Sequence, residues 1–264
     1  YVGSVTCISC HAEQGRAWQG SQHAIALQAA TPNSVLGKFD GAIYRIGRST
    51  TRFTQRDGTF TAHTEGADGK LIDAPISHVI GVAPVQQYLV SLPDGRKQSL
   101  GLSWDSRSKT AGGQRWIHLF AKEGTRPGHP LHWSGIDQNW NYQCADCHST
   151  NLRKNYDAAS DRFNTTWSEI SVGCEACHGP GQQHVAWANA SPRAAQGNHG
   201  LTAALDERNK INWLPADMGT ATRSSPRSSA REIEVCARCH ARRGQFGDDH
   251  RAGDPLLDHF RPAL

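Results

Sequence analysis

Cys174-Glu175-Ala176-Cys177-His178 holds two thiols three residues apart, with an imidazole directly after the second. The same pattern occurs at Cys7-Ile8-Ser9-Cys10-His11, Cys144-Ala145-Asp146-Cys147-His148 and Cys236-Ala237-Arg238-Cys239-His240. These four segments use all 8 cysteines of the chain. Cys-x-x-Cys-His is the attachment signature of c-type haem. On one helical turn, thiols at this spacing reach the two vinyl groups of a porphyrin, and the next histidine meets the iron from the same side. Paired cysteines serve two other chemistries. Two pairs can hold one zinc ion, and eight cysteines can form disulfides in a secreted protein. Neither needs a histidine after every pair. The sequence therefore predicts four c-type haems, joined through Cys7, Cys10, Cys144, Cys147, Cys174, Cys177, Cys236 and Cys239. Their proximal iron ligands are His11, His148, His178 and His240.

The composition agrees with an interior that is not all protein. Leu, Ile, Val and Phe make up 17% of the 264 residues. A share under about 20% marks disorder when the net charge is high. Here the net charge is only +4, and the chain carries 8 Trp, 5 Tyr and 26 Gly. A folded chain short of aliphatic residues is the better description, with porphyrins expected to replace the missing core. Haem binding is then folding free energy, and the haem-free chain is expected to be largely unfolded. Each ferric haem with ionised propionates adds about −1, so four bring the chain near neutrality. The pI of 8.7 therefore says little about partners. No Lys/Arg block of the nucleic-acid-binding kind is present. No apolar run of 18 residues predicts a transmembrane helix. The sequence opens on Tyr1 with no apolar leader, which reads as the mature end of an exported chain, periplasmic or extracellular.

Each iron has a second axial position, commonly filled by His or Met. Met218 is the single methionine, so at most one haem can be His/Met ligated. The 14 histidines leave ten beyond the four motifs, enough for bis-His ligation throughout and a low-potential chain. The expected distal ligands are His23, His118, His132 and His184. His118 and His132 sit beside aromatic residues, in Arg115-Trp116-Ile117-His118-Leu119-Phe120 and His129-Pro130-Leu131-His132-Trp133. His184 follows the turn Gly179-Pro180-Gly181, which can present it to a neighbouring porphyrin. His11 to Ala30 reads as one helix, weakened by Gly15 and Gly20. Along it, His23 lies about 18 Å from His11 and would ligate a different haem. His78 is a reserve, His63 reads as solvent-facing, and His199, His250 and His259 lie in polar or turn-rich stretches.

The expected fold class is α+β with little regular secondary structure: a haem-packed cytochrome with an inserted antiparallel sheet. Residues 12–143 separate the first two motifs and read as β-structure. Ala42–Arg48 and Thr51–Arg56 alternate, Asp57-Gly58 joins the second to Thr59–Thr64, and Gly66-Ala67-Asp68-Gly69 is another turn. Pro93-Asp94-Gly95 separates Gln86–Leu92 from Arg96–Leu102. About five strands are predicted this way. The organisation expected is an N-terminal haem-binding helix segment (1–40), a β-rich insertion (41–120) and a three-haem region (121–264). Ala190–Ala230 reads as a long surface connection.

The flanks of the motifs carry a family resemblance over most of the chain. Tyr1-Val2-Gly3-Ser4, the first motif, Trp18 and Ser21-Gln22-His23 resemble the opening of cytochrome c554-like multihaem proteins. Gln138-Asn139-Trp140-Asn141-Tyr142, Cys174–His184 and Cys236–Arg243 are similar to the cytochrome module of bacterial proteins that often continue into tetratricopeptide repeats. The resemblance implies an exported protein with closely packed haems, and His23 and His184 as distal ligands. No helical repeat is read in this chain.

The function expected is electron transfer by a tetrahaem cytochrome, to redox protein partners or an extracellular acceptor. Copies could join head to tail into a filament, a homo-oligomer that does not close. The alternative is a multihaem oxidoreductase for a small nitrogen or sulfur compound, which needs one open haem face. All four motifs end in His, where multihaem nitrite reductases typically carry one ending in Lys.

Overall fold

The computed structural model describes every residue except 123–125, 196, 206–210, 218 and 264. Met218 therefore lies outside the described residues. Two units form: Glu13–Val172, and Tyr1–Ala12 together with Gly173–Leu264.

Within Glu13–Val172 a nine-stranded antiparallel sheet dominates. Its strands are β1 (Leu27–Ala29), β2 (Asp40–Ile46), β3 (Ser49–Arg56), β4 (Thr59–Glu65), β5 (Leu71–Ile80), β6 (Val85–Ser91), β7 (Lys97–Ser99), β8 (Leu102–Asp105) and β9 (Arg115–His118). The order is β2-β3-β4-β5-β6-β8-β9, with β1 on β5 and β7 on β6. The Asp57-Gly58 turn is present, and both residues take positive φ, 48° and 79°. That is the backbone of a two-residue hairpin.

The sheet is larger than the five strands expected. β5 carries Pro75, which argues against a central strand because it donates no hydrogen bond. The structure accommodates it by a change of partner. Leu71–Pro75 pairs with β4, while Ile76–Ile80 pairs with β6, and a bulge lies between Ile76 and His78.

Alternation sends one set of side chains into an aromatic core. Phe39, Phe53, Phe60, Tyr88, Trp104, Trp116 and Trp133 are all buried there. Phe53 and Trp116 stack with centroids 3.6 Å apart and planes 2° apart. The polar edges are satisfied: Trp116 Nε1 donates to the Lys38 carbonyl and Trp133 Nε1 to that of Glu65. β5 and β6 are covered on both faces. Val79, Tyr88 and Val90 enter the aromatic core, while Ile80 and Leu89 enter a second cluster with Leu27, Trp140, Ala145 and Leu152.

The expected helix from His11 to Ala30 is not formed. The structure has α1 (Ser4–Cys10) and α2 (Ala12–Gln19), and β1 begins at Leu27. Gly20 follows α2 directly, and Ser21 Oγ donates to the Trp18 carbonyl at 2.6 Å, closing the helix end. The helical spacing that set His23 about 18 Å from His11 is therefore absent. Later in this unit, α3 (Trp140–Gln143) is capped by Asn139, whose side chain accepts from the Tyr142 N–H.

The other unit holds α1, α4 (Cys174–His178), α5 (Gln182–Asn189) and α6 (Arg231–His240). Ala190–Ala230, expected as a plain connection, carries a short ladder of Trp213–Pro215 with Ala221–Arg223. Among the described residues this unit buries few apolar side chains: the cluster of Ala203, Val235 and Ala252, with Leu256 and Phe260. The shortage of core formers is thus concentrated here, not spread along the chain. No helix among the described residues is long and apolar enough to cross a membrane.

Candidate haem-binding sites

Each Cys-x-x-Cys-His segment sits on or just after a short helix. Cys7 and Cys10 lie in α1, with His11 as its C-cap residue. Cys174–His178 is α4, and Cys236–His240 ends α6. Cys144 caps the end of α3. All eight thiols are free of disulfides. Burial pushes the Cys144 thiol up to about 11 and raises that of Cys177 as well. Among the described residues no three His, Cys, Asp or Glu side chains converge as a metal shell. Among the described residues, then, neither a disulfide nor a preformed metal shell is present.

The histidines supply a sharper test of fit. His148 Nδ1 donates to the Ala26 carbonyl at 3.0 Å, and His178 Nδ1 to that of Ala203 at 3.1 Å. His184 Nδ1 donates to the His199 carbonyl at 2.8 Å. A metal-binding histidine typically gives its other ring N–H to such an acceptor, which fixes the tautomer and frees Nε2. Three of the residues expected on iron show this pattern.

His184 sits in the first turn of α5, and its ring lies opposite that of His11. The centroids are 6.0 Å apart and the planes 25° apart. Two imidazole nitrogens, each about 2 Å from a shared metal, put ring centres about 6 Å apart. The spacing suits one iron held by both.

His118 and His132 are also brought together, but differently. Both line one cleft beside β4, β8 and β9, with Glu65, Leu100, Leu102 and Trp133. His118 Nδ1 accepts from the Phe120 N–H, and His132 Nδ1 accepts from the Ser134 N–H. In the neutral ring of His118 that places the proton on Nε2, the reverse of the pattern at His148, His178 and His184, while His132 Nδ1 also lies 2.7 Å from the Ser134 hydroxyl, which can take either role. His23 lies exposed in a turn, and its carbonyl accepts from Ser171 Oγ and the Val172 N–H.

Glu175, inside the third motif, is a positioning residue absent from the sequence reading. Its buried carboxylate accepts from the N–H groups of Val2, Gly3 and Gly181. It thereby fastens the approach to α1 and the turn into α5, the two elements that carry His11 and His184. Glu175→Ala leaves three N–H groups without their acceptor. We expect it to destabilise this unit by about 3 kcal/mol or more, read from denaturant unfolding of the holoprotein.

His78 belongs to the second cluster's face of β5. Its ring meets Trp167 edge-on, 6.5 Å between centroids, and Trp167, like Cys144, packs against the second cluster. Burial, with the charge of Lys97 acting the same way, lowers its pKa from 6.5 to about 4. The unfolded chain takes up this proton near 6.5 while the folded chain resists until about 4. Stability from this group is complete above 6.5 and is lost as pH falls towards 4. The wild type should lose more stability between pH 7 and 4.5 than His78→Gln; equal losses would refute this.

Comparison with known proteins follows the same line. The family model "Cytochrome c554 and c-prime" matches residues 6–79 and 123–179, which include the first three Cys-x-x-Cys-His segments. The chain is a multihaem c-type cytochrome of this family. Its cofactor is accordingly c-type haem with iron. The fourth motif of this cytochrome and β6 to β9 lie outside the matched stretches. Among solved structures, an undecahaem cytochrome from the S-layer of Carboxydothermus ferrireducens aligns over 96% of the chain at 18% identity, with a TM-score of 0.46. The chain spans about a quarter (26%) of that protein's length. No curated protein matches.

Proposed function

We propose that this cytochrome carries four covalently attached haems and passes electrons between them, without converting a substrate. The His11–His184 pair is the observation that carries this: a haem closed on both faces exchanges electrons and offers a substrate no open position. The bound iron supplies one-electron chemistry. Each porphyrin would be held through two cysteines, backbone carbonyls set the tautomers of His148, His178 and His184, and His184 would close the haem of His11. His ligation without Met places the potentials at the low end of the range.

The first and fourth motifs stand near the two ends of the sequence, at residues 7–11 and 236–240. Electrons would enter and leave through haems at the protein's surface. A redox protein, an extracellular acceptor or a further copy in a filament would dock there. An exported location, periplasmic or at the cell surface, goes with this function. Intact mass of the holoprotein should exceed the chain by four haems. Fewer than four would contradict the count.

A further inference from the structure

His250 is 8% exposed, and neither ring nitrogen has a hydrogen-bond partner among the described residues. Asp254 stands beside the ring, but its backbone does not meet hydrogen-bond geometry with either nitrogen. An orphaned buried imidazole is costly and requires an explanation. Its neighbours are the rings of His259 and Phe260, each 5.2 Å away between centroids. Burial, with Arg238 and His259 adding to it, keeps the ring neutral to below the usual histidine range. Neutral imidazole is the form that binds a metal.

The segment carrying His250 is tied to the third motif. Ala252 is buried in one cluster with Ala203 and Val235, and Cys177 packs against that cluster. The Ala252 carbonyl accepts from Thr202 Oγ at 2.7 Å, and the same hydroxyl lies 3.3 Å from the His178 carbonyl. His178 spends Nδ1 on Ala203, leaving Nε2 for iron. The nearest expected distal ligand in sequence, His184, is engaged opposite His11.

We propose that His250 is the distal ligand of the iron attached through Cys174, Cys177 and His178. This rests on the motifs being haem sites. The test uses ferric holoprotein and electron paramagnetic resonance. His250→Ala should turn one haem from low-spin to high-spin, and added imidazole should restore the low-spin signal. In a Cys174→Ala/Cys177→Ala background, which lacks the third haem, His250→Ala should change nothing further. An unchanged low-spin count in the single variant overturns the proposal, as does a new high-spin haem in the background variant. Should His250→Ala fail to fold, His250→Met should raise the potential of one haem alone; unchanged potentials overturn it equally. Failure of the underlying reading would look different, as a wild-type chain without covalent haem at Cys174 and Cys177.

Discussion

Replacing His184 with alanine should convert one haem of the ferric holoprotein from low-spin to high-spin and leave the others as they are. The ring of His184 is held by the His199 carbonyl at one nitrogen and stands 6.0 Å from His11. Alanine removes the nitrogen that closes the iron while keeping α5 intact, since alanine is the best helix former. The opened iron should bind added imidazole or cyanide, which the wild type resists. His184→Met should keep the site closed but raise that haem's potential by about 0.1 V or more, within the span of about 0.8 V open to axial ligands. A titration in which no potential moves would remove His184 from the ligand set.

The second large effect concerns the haem-free chain, which should fold in one unit and not in the other. The expectation from composition was general unfolding. The structure divides that expectation. Phe53, Phe60, Tyr88, Trp104 and Trp116 lie in a core made by protein alone. Aromatic side chains bury about 150–250 Å² each, worth about 4–6 kcal/mol apiece at about 25 cal/mol per Å². The unit carrying three of the motifs buries Ala203, Val235, Ala252, Leu256 and Phe260 among the described residues, too few to offset the entropy of ordering it. Chain expressed without haem attachment should show amide protection across β2 to β9 and little in residues 173–263. Equal protection in both would mean that porphyrin contributes no folding free energy. Protection in neither would mean that the sheet also depends on haem.

How much of this was legible in the sequence depends on how local each cause is. The haem motifs were fully legible because the chemistry requires two thiols and an imidazole within five residues. The Asp57-Gly58 hairpin was legible because its backbone demands positive φ at both positions. β5 was not, since Pro75 hides a strand that only a change of pairing partner makes possible. The helix expected past Gln19 failed where Gly20 and the Ser21 hydroxyl end it. The turn before His184 is legible as presenting its ring, which stands 6.0 Å from that of His11. The burial of His250 was not legible: its segment is polar, and the rings of His259 and Phe260 that pack on it come from the turn that follows. The contrast between His148, His178 and His184 on one side and His118 on the other lies in hydrogen-bond direction, which no spacing encodes.

Spin quantitation of the fully oxidised holoprotein by electron paramagnetic resonance, against its haem content, tests the central claim most directly. Four haems per chain, all low-spin and unchanged by nitrite or hydroxylamine, is the predicted result. A stoichiometric high-spin haem that reacts with either compound would contradict it, and would make this chain a substrate-converting oxidoreductase.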